Sequence, residues 1–235
     1  MLAGVSGDLI SQAFGEHVLP TAFRDRLGER ERERALRALR SWWRRVRLSM
    51  GPASSIRDLL DLGAAPVFET LGHRLVVRSV TSDPPVATAT FVSGGTRATV
   101  RILPWGAPLG GGHAPFAAAD HQPSWWGIVF NGLALRLVDW RRSYARRHLD
   151  FDLEAVLDHP PSFVLFWACL RDGALEAVLG SLISASAEHG LGVCAALRSG
   201  VLEGVELLMN AMARTSRRFG SRHHRAAVHL AAYGE

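Results

Sequence analysis

Between residues 73 and 140 the apolar residues alternate with polar ones, and from 153 to about 213 they recur at three- and four-residue steps. This change of period constrains the fold more than any other feature. An alternating pattern buries one face of a strand, whereas a 3.6-residue pattern buries one stripe of a helix. HRLVVRSV at 73–80, ATATFV at 87–92 and TRATVRILPW at 96–105 have the β-branched, alternating character of strands. Asp83-Pro84-Pro85 reads as the turn between the first two, and Ser93-Gly94-Gly95 as hairpin punctuation. IVF and LALRLVDW form two more strands joined across Asn131-Gly132. Asn-Gly favours the positive φ angles that a two-residue hairpin needs.

Helices are expected on both sides of this strand-rich middle. In 23–50, Leu36, Leu39, Trp43, Val46 and Met50 make an apolar stripe, with Arg30, Arg34, Arg37, Arg40, Arg44, Arg45 and Arg47 on the other faces. GPASSIRDLLDLGAAPVFETLG at 51–72 has helical spacing, with a kink or restart at Pro66. Further helices are expected at 153–157, 161–171, 174–188 and 193–213, with Gly190 and Gly192 breaking the run between the last two. In the last of them Val193, Leu197, Val201, Val205, Leu208 and Met212 share a face. The pattern predicts an α+β fold followed by an α-helical segment.

All 27 basic residues are Arg, against 22 acids, for a net charge of +5. The absence of Lys excludes a Schiff-base lysine, a P-loop lysine, an S-x-x-K acylase and the Lys of a (D/E)-x-K nuclease site. The longest apolar stretches are interrupted by Arg171, Asp172 and Glu176, so no membrane span is expected. MLAGVSGDLISQAF lacks a secretory signal pattern, so a cytoplasmic protein is expected. Cys169 and Cys194, unclustered and in apolar settings, are expected as reduced core thiols.

The Arg residues gather in two places that could meet a polyanion, because the guanidinium fork matches phosphate oxygens. One is the first helix, through Arg37, Arg40, Arg44 and Arg45. The other is the Asn-Gly hairpin region, where Arg136, Arg141, Arg142, Arg146 and Arg147 stand near Trp125, Trp126 and Trp140. Aromatic side chains among Arg can stack bases. The bland alternatives are a solvated Arg/Glu face and tryptophans in the core. Other constellations are weak. Asp83-Pro84-Pro85 is followed by Val86, which cannot stack on a base, and Gly110–His113 lies in a Gly/Pro/Ala loop without phosphate-loop spacing. His223, His224 and His229 have no carboxylate or Cys at ligand spacing. No catalytic or metal-ligating residue is expected.

Residues 51–213 resemble the N-terminal region of large restriction–modification and phage-exclusion DNA adenine methyltransferases. The resemblance rests on Trp126, Gly127, Asn131, Gly132, Arg136, Leu137, Asp139, Leu149, Phe151, Asp152 and Leu153, then on Ser186, Val193, Leu197, Arg198, Gly200 and Val201. It implies a restriction-endonuclease-like mixed β-sheet with flanking helices, related to PD-(D/E)-x-K nucleases. It also implies a methylase domain, using S-adenosylmethionine, beyond the present chain, which would then be cut short before it. Where that nuclease site would carry E-x-K, this sequence reads TATFVSGG and TVRILPW, without acid or Lys. The expected organisation is a basic helical segment at 1–50, a nuclease-like domain at 51–150, a helical domain at 151–214 and a basic tail at 215–235. The expected function is a non-catalytic module contacting DNA or a partner. The alternatives are a structural module docking a separate methylase chain or other defence-system subunit, and a divergent metal-dependent nuclease.

Overall fold

The computed structural model describes residues 1–23, 27–93, 95–110, 126–139 and 147–231, with the backbone alone for 96 and 213–231. Its contacts divide the chain into Met1–Ala187 and Glu188–Glu235. Within the first unit, the first fifty residues supply an edge strand and a core helix beside the sheet.

In the first unit, β1 (Val5–Gly7), β2 (Val76–Ser82), β3 (Pro85–Ser93), β4 (Thr96–Ile102), β5 (Trp126–Phe130), β6 (Ala134–Asp139) and β7 (His148–Asp152) form one sheet. The order is β1-β7-β6-β5-β4-β3-β2. β4 and β5 run parallel, with Ala98 beside Trp126 and Ile102 beside Phe130, and the other neighbours are antiparallel. The sheet is therefore mixed, with helices flanking it. All five residues of β5 are buried, which suits a strand in the sheet's interior. The short outer partners β1 and β7 were not foreseen as strands.

The β5–β6 connection falls on Asn131-Gly132. Asn131 Oδ1 accepts from the backbone N–H groups of Leu133 (3.0 Å) and Ala134 (2.7 Å), and its Nδ2 donates to the Ala107 carbonyl at 2.7 Å. The side chain thus closes the turn and also ties it to the loop after β4. Gly132 has φ +87° and lies under Trp105.

The helices are α1 (Leu19–Ala22), α2 (Glu29–Ser49), α3 (Ile56–Asp58), α4 (Ala65–Thr70), α5 (Leu153–Asp158), α6 (Pro160–Leu170), α7 (Ala174–Ala177) and α8 (Leu179–Ala231), the last belonging to the first unit up to Ala187. The expected restart at Pro66 takes the form of a π-helical stretch, Leu59–Ala64, between α3 and α4. Proline has no N–H for the Leu62 carbonyl four residues before it. That carbonyl accepts instead from Trp42 Nε1 of α2, at 3.0 Å. Asp152 caps α5 through the Ala155 N–H (2.9 Å), and His159 caps α6 through Ser162. Phe163, Leu165, Phe166, Trp167, Ala168, Cys169 and Leu170 are all buried, as expected of a helix apolar on every side.

Two expectations are corrected. Gly190 and Gly192 do not break the chain, because α8 continues through both. A helix tolerates interior glycine at a cost of roughly 1 kcal/mol each. Cys169 is buried, and desolvation pushes its thiol far above the usual range, but Cys194 is exposed on α8. Its apolar neighbours in sequence do not form a core around it. Among the described residues no helix is long and apolar enough to cross a membrane.

Candidate nucleic-acid interface

α2 begins after Gly28, which adopts the left-handed conformation at φ +59°. Glu29 and Glu31 occupy its first turn and Arg47 its last, the charge order that a helix dipole favours. Ala35, Leu39, Trp42, Trp43 and Val46 form the buried stripe. Arg37, Arg40, Arg44 and Arg47 follow at i, i+3, i+7 and i+10, so helical periodicity gathers them along one side of that stripe. At 1.5 Å rise per residue they extend over about 15 Å.

These four Arg line a groove of about 960 Å³ together with Trp43 and Leu48 of α2, and Glu154, Leu157 and Asp158 of α5. Arg40 is half-buried, and its Nε donates to the Leu157 carbonyl at 2.7 Å, which fixes its guanidinium at the seam of the two helices. Arg44 Nε donates to the Arg40 carbonyl at 3.4 Å. Arg47 Nη1 meets Glu154 Oε1 at 3.2 Å, and Arg37 Nη1 stands 4.0 Å from Glu33 Oε2. Both pairs are solvent-exposed on each side and hold little energy, so a phosphate can replace the carboxylate. Trp43 is 7 % exposed, and its buried Nε1 has no hydrogen-bond acceptor. With five N–H donors on each guanidinium, the groove is rich in donors. Two carboxylates oppose four guanidinium groups, and among the described residues the lining contains no His, Cys or Ser. Such a groove can hold an extended anion, and its lining offers no nucleophile–base pair.

The other expected binding residues are dispersed. Arg45 is not part of the groove, and its Nη1 donates to Ser41 Oγ at 3.1 Å on an exposed face. Arg136 of β6 faces Asp150 of β7 and forms a two-pronged ion pair, Nε to Oδ1 at 2.6 Å and Nη2 to Oδ2 at 2.7 Å. Both side chains are about four-fifths buried, so this Arg pins the register of two strands. Arg147 is half-buried just before β7, and its carbonyl accepts from the Asp139 N–H. Arg141, Arg142 and Arg146 lie outside the described residues, as do Trp125 and Trp140, while Trp126 is a core residue at 2 % exposure. Gly111, Gly112 and His113 also lie outside, and the side chains of His223, His224 and His229 are not described. Sequence reading named Arg47 on the basic faces of the helix without placing it among the binding residues, and did not single out Glu154 or Asp158. The ten-residue span from Arg37 to Arg47 was the available signal for Arg47. The acidic wall comes from a helix more than a hundred residues away, and no local pattern announces it.

A second unforeseen feature is His73, 2 % exposed beside Phe91 at a ring-centroid distance of 4.2 Å. Its Nε2 lies 2.7 Å from the Leu170 carbonyl and must donate the proton, which leaves Nδ1 as a buried lone pair 3.8 Å from Asp172 Oδ1. Desolvation lowers its pKa below the ordinary 6.5, outweighing the carbonyl bond and the nearby Asp172, which pull it upward. The unfolded chain therefore binds a proton here before the folded chain does. The stability tied to neutral His73 is complete above about pH 6.5 and is lost as the pH falls below it. Urea unfolding at pH 5 and pH 7.5 is expected to show a larger acid loss for the parent chain than for His73→Gln. Equal losses would remove His73 from the account.

Among the described residues, no three His, Cys, Asp or Glu side chains converge in a way that could hold a metal ion. No protein-family model, curated protein or solved structure matches this chain.

Proposed function

We propose that this chain is a DNA-contacting module without its own catalytic site, belonging to a DNA-modifying restriction–modification or phage-defence adenine methyltransferase. The observation that carries the DNA contact is the α2–α5 groove, where Arg37, Arg40, Arg44 and Arg47 stand in one row. A row of about 15 Å can follow a strand that carries one phosphate per roughly 3.4 Å of duplex axis. The link to the methyltransferase family rests on the sequence resemblance. The mixed sheet with its central parallel pair supports a restriction-endonuclease-like scaffold. On that scaffold β3 and β4 carry Thr88, Thr90, Thr99 and Arg101 where a nuclease would place acid and Lys, so the reading assigns no cleavage to this chain. S-adenosylmethionine would serve a methylase domain, and cytoplasmic residence accompanies this reading.

The second reading, a structural module that docks a separate methylase or other defence-system subunit, is favoured by one observation. In α8 the large apolar side chains from Leu191 to Met212 are exposed.

A fluorescently labelled mixed-sequence duplex titrated with the chain at low salt is expected to bind, and added salt is expected to release it. Plasmid incubated with Mg²⁺ or Mn²⁺ is expected to remain intact. Absence of binding at low salt would end the DNA proposal, and metal-dependent cleavage lost on changing one carboxylate would reinstate the nuclease.

A further inference from the structure

We infer that α8 is an association helix whose partner is α8 of a second copy of this chain, an inference independent of the DNA-contacting groove. Leu191, Val193, Leu197, Val201, Leu202, Val205, Leu207, Leu208, Met209 and Met212 are each 44 to 72 % exposed. Together they present on the order of 1,000 Å² of apolar surface, beyond the roughly 300–600 Å² of the largest patch on an ordinary monomer and above the roughly 800 Å² that one partner gives to a stable interface. Glu188, Ser199, Glu203, Glu206 and Asn210 cluster on the opposite side of the helix, so the apolar arc is broad and carries Arg198 as its one charge among the described side chains.

The glycines identify the kind of partner. Gly192, Ala196, Gly200 and Gly204 form a row at four-residue steps, and Val193, Leu197, Val201 and Val205 form the adjacent row. A Cβ added at Gly192, Gly200 or Gly204 would meet nothing within 4 Å among the described residues, so none of those residues packs into the space of the missing side chains. Glycine is among the poorest helix formers, and three in one exposed row weaken a helix without any packing return among the described residues. What such a row permits is the close approach of a second backbone. A shallow groove beside a ridge of matching pitch is self-complementary. The Val/Leu ridge of one copy seats in the small-residue groove of the other, and the two-fold operation repeats the contact. An unrelated partner would have to supply both features.

The test is the molar mass of the full chain at micromolar concentration, by light scattering or sedimentation, with helicity followed by circular dichroism. The parent chain is expected to run at twice its own mass. Leu197→Glu combined with Val201→Glu is expected to run at the single-chain mass, with association at least tenfold weaker and the fold intact. Gly200→Leu combined with Gly204→Leu, which improves helix propensity while filling the groove, is expected to dissociate the pair with helicity equal or higher. A parent chain that stays single, whether or not it then binds a separate methylase subunit, overturns the inference. So does a pair that both variants leave at full strength.

Discussion

Replacing Gly132 with alanine is expected to remove roughly 3 kcal/mol of folding stability, from left-handed strain of about 1–2 kcal/mol together with overpacking of about 1–3 kcal/mol. Gly132 has φ +87°, a region that suits glycine. A Cβ there would overlap Cε3 of Trp105, and would sit 2.7 Å from its Cζ3 and 3.0 Å from Cδ2 of Leu59. Trp105 is packed against the core and cannot withdraw without opening the loop that Asn131 Nδ2 holds at Ala107. The hairpin connects the central parallel pair to β6, so strain here reaches the middle of the sheet. Because small domains are stable by only about 5–15 kcal/mol, the loss should be obvious as a lower urea midpoint. A midpoint within error of the parent would show that the turn is not held as described.

Reversing charge in the groove is expected to have the largest effect on binding. Arg37→Glu combined with Arg44→Glu removes two cations whose side chains are exposed and whose intramolecular bonds are weak, so the melting temperature should change little. Affinity for a DNA duplex should fall much more. Counterion release scales with salt to about the −0.9 power per phosphate contact, so at about 0.1 M each lost contact costs roughly eightfold and two cost roughly sixtyfold. The repulsion of two new carboxylates adds to that. Compared with Arg44→Glu alone, Arg45→Glu makes the same change in net charge on the same helix but outside the groove, and is expected to weaken binding only slightly. Equal losses from Arg45 and from the groove residues would mean that overall charge, rather than this site, attracts the polyanion.

What could be read from the sequence was what local physics decides. Alternation located β2 to β6, Asn131-Gly132 located the hairpin, Asp83-Pro84 fell in a turn, and the 3.6-residue stripe located α2. Pairing between distant segments stayed hidden. β1 is three residues long and pairs with β7 more than 140 residues later, too short to show a period. Arg136 looks in sequence like a free cation near an aromatic cluster, and only the register of β6 against β7 reveals Asp150 opposite it. The groove was half visible. Arg37, Arg40 and Arg44 were named from the helix alone, whereas Glu154 and Asp158 arrive with α5. The periodic apolar face of α8 also illustrates a limit. Spacing shows that a face seeks burial but not whether the covering surface belongs to the same chain, and residues 191–212 remain exposed. Cys194 was misplaced for the same reason.

The central claim is that four Arg along α2 neutralise phosphates of a DNA duplex. The most direct measurement is the slope of log Kobs against log salt for the parent chain and for Arg37→Gln combined with Arg44→Gln. Four contacts predict a slope of about −3 to −4, and loss of two predicts a slope shallower by about 2. A parent slope near zero, or a slope that the substitutions leave unchanged, would contradict the account.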